Sequence, residues 1–406
     1  MIVAGQLLLC DDRCARLSPG FLRVADGVVD DVVEGELPGK PDLGGSDCLI
    51  APGLIDTHLH LPQFDTIGAH GLPLLEWLSG VTFPAEARWA DADYAAAMTA
   101  RVAEQLVAHG TTSVCAYSSV HHEATAAAIE TLSGAGLRGV VGQAMSDRFA
   151  PDDLVGKPEA LLNQTADLLA RFPSSTRVAA AITPRFAVSC SEPVLEGAGR
   201  LAKQHPDALI QTHLSETTPE CELIGELFGG KSYVEVYDNA GLVTDRTLFG
   251  HGIHLANDER ARLKTAGAIV AHCPTANSFL RSGAMDRQAT LAAGQLMSLG
   301  SDIGGGYERS MVRVARAMVE TASALGDAYP SPAEAWWQIT AGNADAAGFN
   351  EAGRIRPGVP ADLIIVRPEL PWLDSPVDPL AMLLFAWNDR WLKQTFVDGR
   401  VVYSAD

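Results

Sequence analysis

The sequence predicts an α/β protein: a (β/α)8 TIM-type barrel with a small β-sandwich domain built from both chain termini. Through the middle of the chain, eight strand-like apolar runs alternate with helical stretches, which is typical of parallel β/α units. Both ends instead carry short strands joined at Asp-Gly turns, at residues 26–27 and 398–399. We therefore expect a barrel over residues 53–352 and a composite β-sandwich domain from residues 1–52 and 353–406.

The predicted barrel strands are apolar runs that end in polar loops. They cover residues 49–60, 111–117, 138–145, 177–187, 208–216, 247–255, 269–277 and 295–304. Helical periodicity separates many of these runs, and the clearest helices cover residues 93–109, 159–171, 192–204 and 258–266. In such a barrel the functional groups lie at the C-terminal ends of the strands, so residues far apart in sequence converge there.

Composition limits the class of protein. Of 406 residues, 47% are hydrophobic and 20% are charged, which predicts a globular chain with a large core. Acidic residues outnumber basic ones 50 to 30, and the formal charge of -20 argues against nucleic acid or an anionic membrane surface as a partner. The start of the chain lacks a basic leader, and no run reaches about 18 apolar residues, so we expect a soluble, cytoplasmic protein.

Metal-competent side chains stand where four of the predicted strands end. His58 and His60 flank one leucine at the end of the first strand, so both imidazoles would face one small volume. His213, His251 and Asp302 come at the ends of the fifth, sixth and eighth runs. Any one of them could be an ordinary polar residue at a strand end. Together, the imidazoles and the carboxylate suit zinc or another borderline divalent ion.

These residues divide into ligands and groups that act on water. The predicted ligands of one metal ion are His58, His60, His213 and Asp302. His251 could be a fifth ligand, but we favour it as a donor or base that orients the attacking water. Asp302 can touch both metal and water, so it could also accept the proton of the nucleophile. A two-metal barrel normally needs a bridging lysine or acid at the end of the fourth run, and residues 179–186 contain neither.

Glu216 is the predicted proton carrier. It follows His213 by three residues and leaves its strand on the loop side. Its carboxyl group could carry a proton to a ring nitrogen and then to a leaving amine. Alternatively, it is a solvated glutamate in the first turn of a helix that Thr217, Thr218 and Pro219 start. The nearby histidines favour the catalytic interpretation.

Two groups of residues match a known family. The first group is residues 52–60 together with His213, His251 and Asp302. The second group comprises residues 72–78, 82–86, 183–186, 189–191, 271–274 and 305–307. On these residues the sequence resembles the amidohydrolase superfamily, and within it the guanine deaminases of the cyclase/deaminase type.

The resemblance implies a purine pocket formed by four residues, Gln63, Arg185, Phe186 and Trp77. Gln63 and Arg185 would hydrogen-bond the ring, and Phe186 would stack on its face. Trp77 would shield the site from water. Without the resemblance, Phe186 could equally be an ordinary core residue.

The implied reaction is the hydrolytic deamination of guanine to xanthine and ammonia. A metal-activated water would attack C2, and Glu216 would protonate the neighbouring ring nitrogen. The implied cofactor is one zinc ion per chain, with iron as an alternative, and family members are often homodimers. The alternative function is a deaminase of 8-oxoguanine, a pterin or an aminotriazine, and a cyclic-amide hydrolase is more distant. The sequence departs from the animal guanine deaminases at positions that could border the pocket, namely Leu61-Pro62, Thr275-Ala276, Phe279 and Arg281.

Overall fold

The structure is a computed structural model that describes residues 1–326 and 330–405. Its strands are β1 (Ile2–Asp11), β2 (Cys14–Ala25), β3 (Val28–Glu34), β4 (Leu43–Pro52), β5 (Leu54–His60), β6 (Thr111–Tyr117), β7 (Arg138–Gly142), β8 (Val178–Ala181), β9 (Ile210–Leu214), β10 (Thr247–His251), β11 (Ile269–His272), β12 (Leu296–Leu299), β13 (Leu363–Val366), β14 (Leu392–Val397) and β15 (Arg400–Ser404). Within these ranges, no helix is both long enough and apolar enough to cross a membrane.

The helices cover the strands and connect them. They are α1 (Leu74–Trp77), α2 (Phe83–Ala87), α3 (Ala92–Ala108), α4 (His122–Gly134), α5 (Pro158–Arg171), α6 (Glu192–Gln204), α7 (Thr218–Leu227), α8 (Tyr233–Asn239), α9 (Asn257–Ala266), α10 (Pro274–Phe279), α11 (Arg287–Ala292), α12 (Met311–Ala324), α13 (Pro332–Trp337), α14 (Asn343–Ala347) and α15 (Pro379–Phe385). The bounds of α3, α5, α6 and α9 agree with the predicted helices to within one residue.

The eight parallel strands β5 to β12 follow one another in chain order, as the alternating pattern predicts. They are hydrogen-bonded as two four-stranded sheets, β5-β6-β7-β8 and β9-β10-β11-β12. A parallel bridge between Ile182 and Ile210 joins the sheets on one side. On the other side, the Asp302 N–H donates to the His58 carbonyl at 2.8 Å. The His60 N–H also donates to the Ile303 carbonyl at 3.1 Å, so this second seam is joined through the loop after β12, which carries a predicted site residue.

The strands of both chain ends pair in one seven-stranded sheet, in the order β15-β14-β13-β4-β1-β2-β3. β13 pairs antiparallel with β4, so the C-terminal strands join the N-terminal ones directly. Val28 of β3 bridges Pro360 just before β13, and the sheet therefore curves back on itself around an apolar core. The composite domain is present as a single curved sheet, and its boundaries at residues 52 and 353 stay predictions.

α3 illustrates how the sequence builds the outer layer of the barrel. Asp91 precedes the helix, and its side chain accepts hydrogen bonds from the N–H groups of Asp93 and Tyr94. One face of the helix is apolar at helical spacing, and its buried residues include Ala95, Met98, Val102 and Leu106. That face packs into the largest hydrophobic core, together with strand residues such as Val114.

The chain between β5 and α3 crosses the C-terminal mouth of the barrel, and we call residues 61–91 the covering segment. It contains α1, a π-helical turn over Leu78–Thr82, and α2. Trp77 and Phe83 of this segment are buried in the same core as the barrel strands. The covering segment thus closes the end of the barrel at which functional groups were predicted.

Candidate active site

β5 brings His58 and His60 to the inside of the barrel, as the alternation of side chains predicts. The Nε2 atoms of His58 and His60 lie 3.5 and 3.3 Å from Oδ1 of Asp302. Two glycines leave room for His58. An added Cβ at Gly250 would lie 2.5 Å from its Cε1, and one at Gly300 would lie 2.5 Å from its Cβ. The neighbouring chain must lack side chains at both points for His58 to keep its place.

His213 faces the histidine pair from β9, one residue before that strand ends. Its Nε2 lies 3.1 Å from Nε2 of His60. Its Nδ1–H donates to the carbonyl of Arg185 at 2.6 Å, which leaves Nε2 with a free lone pair. Burial lowers the pKa of His213 well below its ordinary value, and it lowers the pKa of His58 to about 4. Both rings are therefore neutral at pH 7 and suited to a metal ion.

Asp302 lies in the loop three residues beyond the end of β12, although it was predicted at the end of the strand itself. Its backbone is left-handed, with φ 50°, and so is that of His251, with φ 70°. Residues with a Cβ adopt this conformation mainly where the surroundings impose it, often at functional sites. Burial alone would raise the pKa of Asp302, but the neighbouring imidazoles of His58 and His60 lower it well below its ordinary value.

The donor atoms form two overlapping clusters. Those of His58, His60 and His213 lie within 4.8 Å of one another, and so do those of His58, His251 and Asp302. Nε2 of His58 is buried and has no hydrogen-bond partner among the residues that the structure describes. A buried polar atom without a partner is costly, and a coordinated cation would supply one. Neutral imidazoles beside an ionised carboxylate are a donor set that fits one divalent ion.

His251 and Glu216 face each other beside this cluster. Nε2 of His251 lies 3.5 Å from Oε2 of Glu216 and 3.9 Å from Oδ2 of Asp302. Its other ring nitrogen is held by Oδ1 of Asn277 at 2.9 Å. Burial alone would lower the pKa of His251, but the carboxylates of Glu216 and Asp302 raise it above its ordinary value. The ring contacts both acids, a position compatible with either role considered for it.

Glu216 is buried, so the alternative of a solvated first-turn glutamate is wrong. Its side chain is 4% exposed. Burial raises its pKa to about 7, and Ser282 Oγ donates to its Oε1 at 2.8 Å. The turn is held by Glu220, whose Oε2 accepts the Glu216 N–H at 3.0 Å. Glu220 also completes a capping box with Thr217 at the start of α7, where a helix start was predicted.

All four residues predicted to recognise a ring line one cavity beside the metal-competent cluster. The cavity is partly open to solvent and is lined by His60, Gln63, Leu74, Trp77, Leu78, Arg185, Phe186, His213, Glu216, Glu220, His251, Leu280, Asp302 and Gly305. Phe186 is buried, with its ring centroid 6.5 Å from that of His213. Trp77 Nε1 donates to the carbonyl of Ala69 at 2.9 Å, which fixes the indole within the covering segment.

The residues that were expected to border the pocket do not line the cavity. Leu61, Thr275 and Phe279 are absent from the described lining of the cavity, whereas Leu280 is part of it. α10 ends at Phe279, whose ring packs 5.5 Å from that of Tyr307 instead. The end of this short helix decides which residue turns inward, and single-sequence patterns place helix ends poorly.

Three residues that touch the site were not predicted. Glu86 binds Arg185 and Gln63. Ser282 binds Glu216, and Asn277 binds His251. Glu86 lies in a segment matched to the family, where a single acid among apolar residues was the available signal. Ser282 and Asn277 follow the seventh barrel strand without any pattern that marks them.

A larger cleft lies at the N-terminal ends of β11 and β12, away from the predicted site. Two of the three arginines in its lining have carboxylate partners: Arg287 lies 3.7 Å from Glu334, and Arg354 lies 2.7 Å from Asp345. It holds none of the predicted site residues. In barrels of this kind the N-terminal face serves stability, so the smaller cavity is the candidate active site.

Comparison with known proteins identifies the family of the chain. The model of the Amidohydrolase family matches residues 49–402. Guanine deaminase from Escherichia coli (strain K12) is 34% identical over 365 residues, which cover 87% of this chain and 83% of that protein. The structure of guanine deaminase from Bradyrhizobium japonicum has a TM-score of 0.94 and 29% identity, covering 100% of this chain and 99% of that one. Guanine deaminase from C. acetobutylicum, solved with guanine in its active site, has a TM-score of 0.92 and 28% identity over 99% of both chains. The chain therefore belongs to the amidohydrolase family, and these relatives within it are guanine deaminases.

Proposed function

We propose that this protein is a guanine deaminase, which hydrolyses guanine to xanthine and ammonia. One observation carries the proposal: His60, His213 and Asp302 of the metal-competent cluster line a single cavity together with the carboxyl group of Glu216 and the polar groups of Gln63 and Arg185. The Escherichia coli relative is a guanine deaminase, and the C. acetobutylicum structure holds guanine in its active site. Hydrolytic chemistry and the recognition of a planar ring thus meet in one place.

The proposed cofactor is one zinc ion per chain, with iron as the alternative. Its proposed ligands are His58, His60, His213 and Asp302. Such an ion is a Lewis acid and makes water a nucleophile near neutral pH. A single ion is proposed because the segment after β8, residues 182–187, offers no lysine or acid to bridge a second one.

Glu216 is proposed as the proton carrier. It gives its proton to the ring nitrogen beside C2, regains one from Asp302 and passes that proton to the departing amine. The proton lost when the hydroxyl at C2 becomes a carbonyl then restores Glu216. The oxygen of water bonds to C2, the C2–N bond breaks, and ammonia leaves. Asp302 accepts a proton from the attacking water, and His251 orients that water. A carboxyl group with a pKa of about 7 is suited to gaining and losing a proton at neutral pH.

Four residues are proposed to hold the ring. The guanidinium of Arg185 donates to acceptors on the ring, and the amide of Gln63 pairs with a polar group on its edge. Phe186 stacks on the ring face, and Trp77 closes the cavity against water. A wrong ring would leave these buried polar groups unpaired, which is the physical basis of selectivity.

The test is the ultraviolet conversion of guanine to xanthine by protein of measured metal content. The Glu216→Gln variant removes the proton carrier and should lower kcat by about 10²- to 10⁴-fold. Glu222→Gln, at an exposed position of α7, is the matched control and should keep full activity. 8-Oxoguanine, a pterin and an aminotriazine are assayed in parallel.

Rapid guanine turnover at one metal per chain, lost in Glu216→Gln alone, would support the proposal. Turnover of a parallel ring without guanine would keep the chemistry and reject the substrate. Two metals per chain with hydrolysis of a cyclic amide would favour the more distant alternative.

We further propose that the protein is a cytoplasmic homodimer. The family resemblance supports the dimer, and the composition supports the location. Sedimentation equilibrium at micromolar concentration tests the dimer, since a monomer has a mass of 42.9 kDa. Fractionation of the source cells tests the location.

A further inference from the structure

Glu86 joins two ring-binding residues from different parts of the fold. It comes from α2 of the covering segment, and its carboxylate accepts hydrogen bonds at 2.5 Å from Nη1 of Arg185. It also accepts one from Nε2 of Gln63 at 3.0 Å. The three side chains are buried, with relative exposures of 3%, 5% and 1% for Glu86, Arg185 and Gln63. Glu86 itself is not among the residues that line the cavity.

This contact decides which end of the Gln63 amide is free. An ionised carboxylate can only accept hydrogen bonds, so the amide must turn its NH₂ group toward Glu86. Its Oε1 is then the free end, and it is buried without a hydrogen-bond partner among the residues that the structure describes. Gln63 therefore offers an acceptor to the cavity, and a substrate N–H would satisfy it.

The Glu86 carboxylate also determines which N–H groups of Arg185 remain available to a substrate. Glu86 binds Nη1 and balances the guanidinium charge, while Phe83 lies with its ring 5.7 Å from the guanidinium carbon. Nε and Nη2 make no hydrogen bond to the described part of the chain and stay available as donors. Arg185 thus presents donors for an acceptor on the ring, without an excess charge that would favour an anion.

We propose that Glu86 is a positioning residue that fixes the donor and acceptor pattern read by the pocket, with an acceptor at Gln63 and donors at Arg185. The inference rests on the proposed function and deepens it. Guanine carries an N–H at N1 beside the O6 carbonyl, which matches this pattern. In 2,6-diaminopurine the reactive C2 amino group is kept, but N1 is a bare acceptor and O6 is replaced by an amino group.

The test compares the C2 deamination of guanine and 2,6-diaminopurine by Glu86→Gln. A neutral amide at position 86 can accept or donate, so the Gln63 amide can turn either way without losing its partner. The ratio of kcat/KM values, guanine over 2,6-diaminopurine, should fall at least about tenfold. A purely structural role would lower both values together and leave the ratio unchanged. Glu76→Gln, exposed on the same covering segment, should keep the wild-type ratio.

The Gln63→Ala variant provides a second test, which does not depend on whether Glu86→Gln folds. It removes the acceptor itself and should lower the same ratio. An unchanged ratio in folded Gln63→Ala, or in folded Glu86→Gln, would overturn the inference even if the wild-type protein deaminates guanine. Absence of guanine turnover by the metal-loaded wild-type protein would instead overturn the proposed function, and this inference with it.

Discussion

His58 keeps its place because two neighbouring positions carry no side chain. In Gly250→Ala, the new Cβ would lie 2.5 Å from Cε1 of His58, so the ring or β10 must move. Since His58 is a proposed ligand, we expect metal affinity to fall at least about tenfold, as measured by titration with a competing chelator. Gly134→Ala is the control, because its Cβ would meet nothing within 4 Å. Wild-type affinity in Gly250→Ala would contradict the assigned geometry.

A second single residue, the buried Asp56, predicts that the stability of the protein depends on pH. Burial raises its pKa from 3.8 to about 7, despite hydrogen bonds from Ser301 and the His58 N–H. The folded state therefore binds this proton more tightly than the unfolded chain, and stability falls as pH rises between these two pKa values. In metal-free protein, the unfolding free energy relative to Asp56→Asn should fall by about 3 kcal/mol from pH 4 to pH 7. If the unfolding free energies of the two proteins, measured by denaturation, changed with pH in the same way, Asp56 would not be the cause of the pH dependence.

At the scale of elements, the position of Glu216 depends on how α7 begins. Ser215, just before it, has a left-handed backbone with φ 45°, and Thr217 just after it is the N-cap of a capping box. The short turn between Ser215 and Thr217 thus holds the carboxyl group of Glu216 against the metal-competent cluster. The sequence indicated the helix start but not the inward turn, because a backbone turn of this kind depends on the strands around it.

Two N-caps allow this element to be tested. Thr217→Ala removes the cap of α7, and Ser232→Ala removes the equivalent cap of α8, which lies outside the cavity lining. Each should lower the unfolding free energy by about 1 kcal/mol. Only Thr217→Ala should also lower kcat, because it loosens the turn that holds Glu216. Equal kcat values in the two variants would show that the turn is not set by its cap.

At the scale of the whole molecule, the proposed metal joins both halves of the barrel. His58 and His60 belong to the sheet that begins with β5, whereas His213 and the loop bearing Asp302 belong to the other sheet. A ligand that binds only the folded state raises its stability, by about 2.7 kcal/mol when it is present at 100 times its Kd. The metal should therefore act as a cross-link between two sheets that share few strand hydrogen bonds.

Metal removal tests this description. Dialysis against a chelator should lower Tm by about 3 °C, and one equivalent of zinc should restore it. His58→Ala loses a ligand, so its Tm should be nearly insensitive to chelator and to zinc in differential scanning calorimetry. An equal response of this variant and the wild-type protein would place the stabilising metal elsewhere.

Local patterns carried the predictions that the structure bears out. The alternation of apolar runs and helical stretches is a property of neighbouring residues. It placed helices such as α3, and the starts of β6 to β12, within two residues of their observed positions, whereas four of the runs extend four to six residues past the observed strand ends. His58 and His60 were recognisable because strand geometry relates residues two apart. Parallel barrels then bring strand ends together, which is why His213 and His251 could be predicted to meet them.

The sequence by itself determined the fold class, the histidine pair and the order in which the other site groups follow. Only the tertiary structure decided that Leu280 rather than Phe279 enters the cavity, and that Glu86 binds Arg185, 99 residues away, and Gln63. The physical reason is the range of the contacts. Period and spacing report interactions along one strand or helix, whereas the partner of a buried carboxylate depends on how distant segments pack over the barrel mouth.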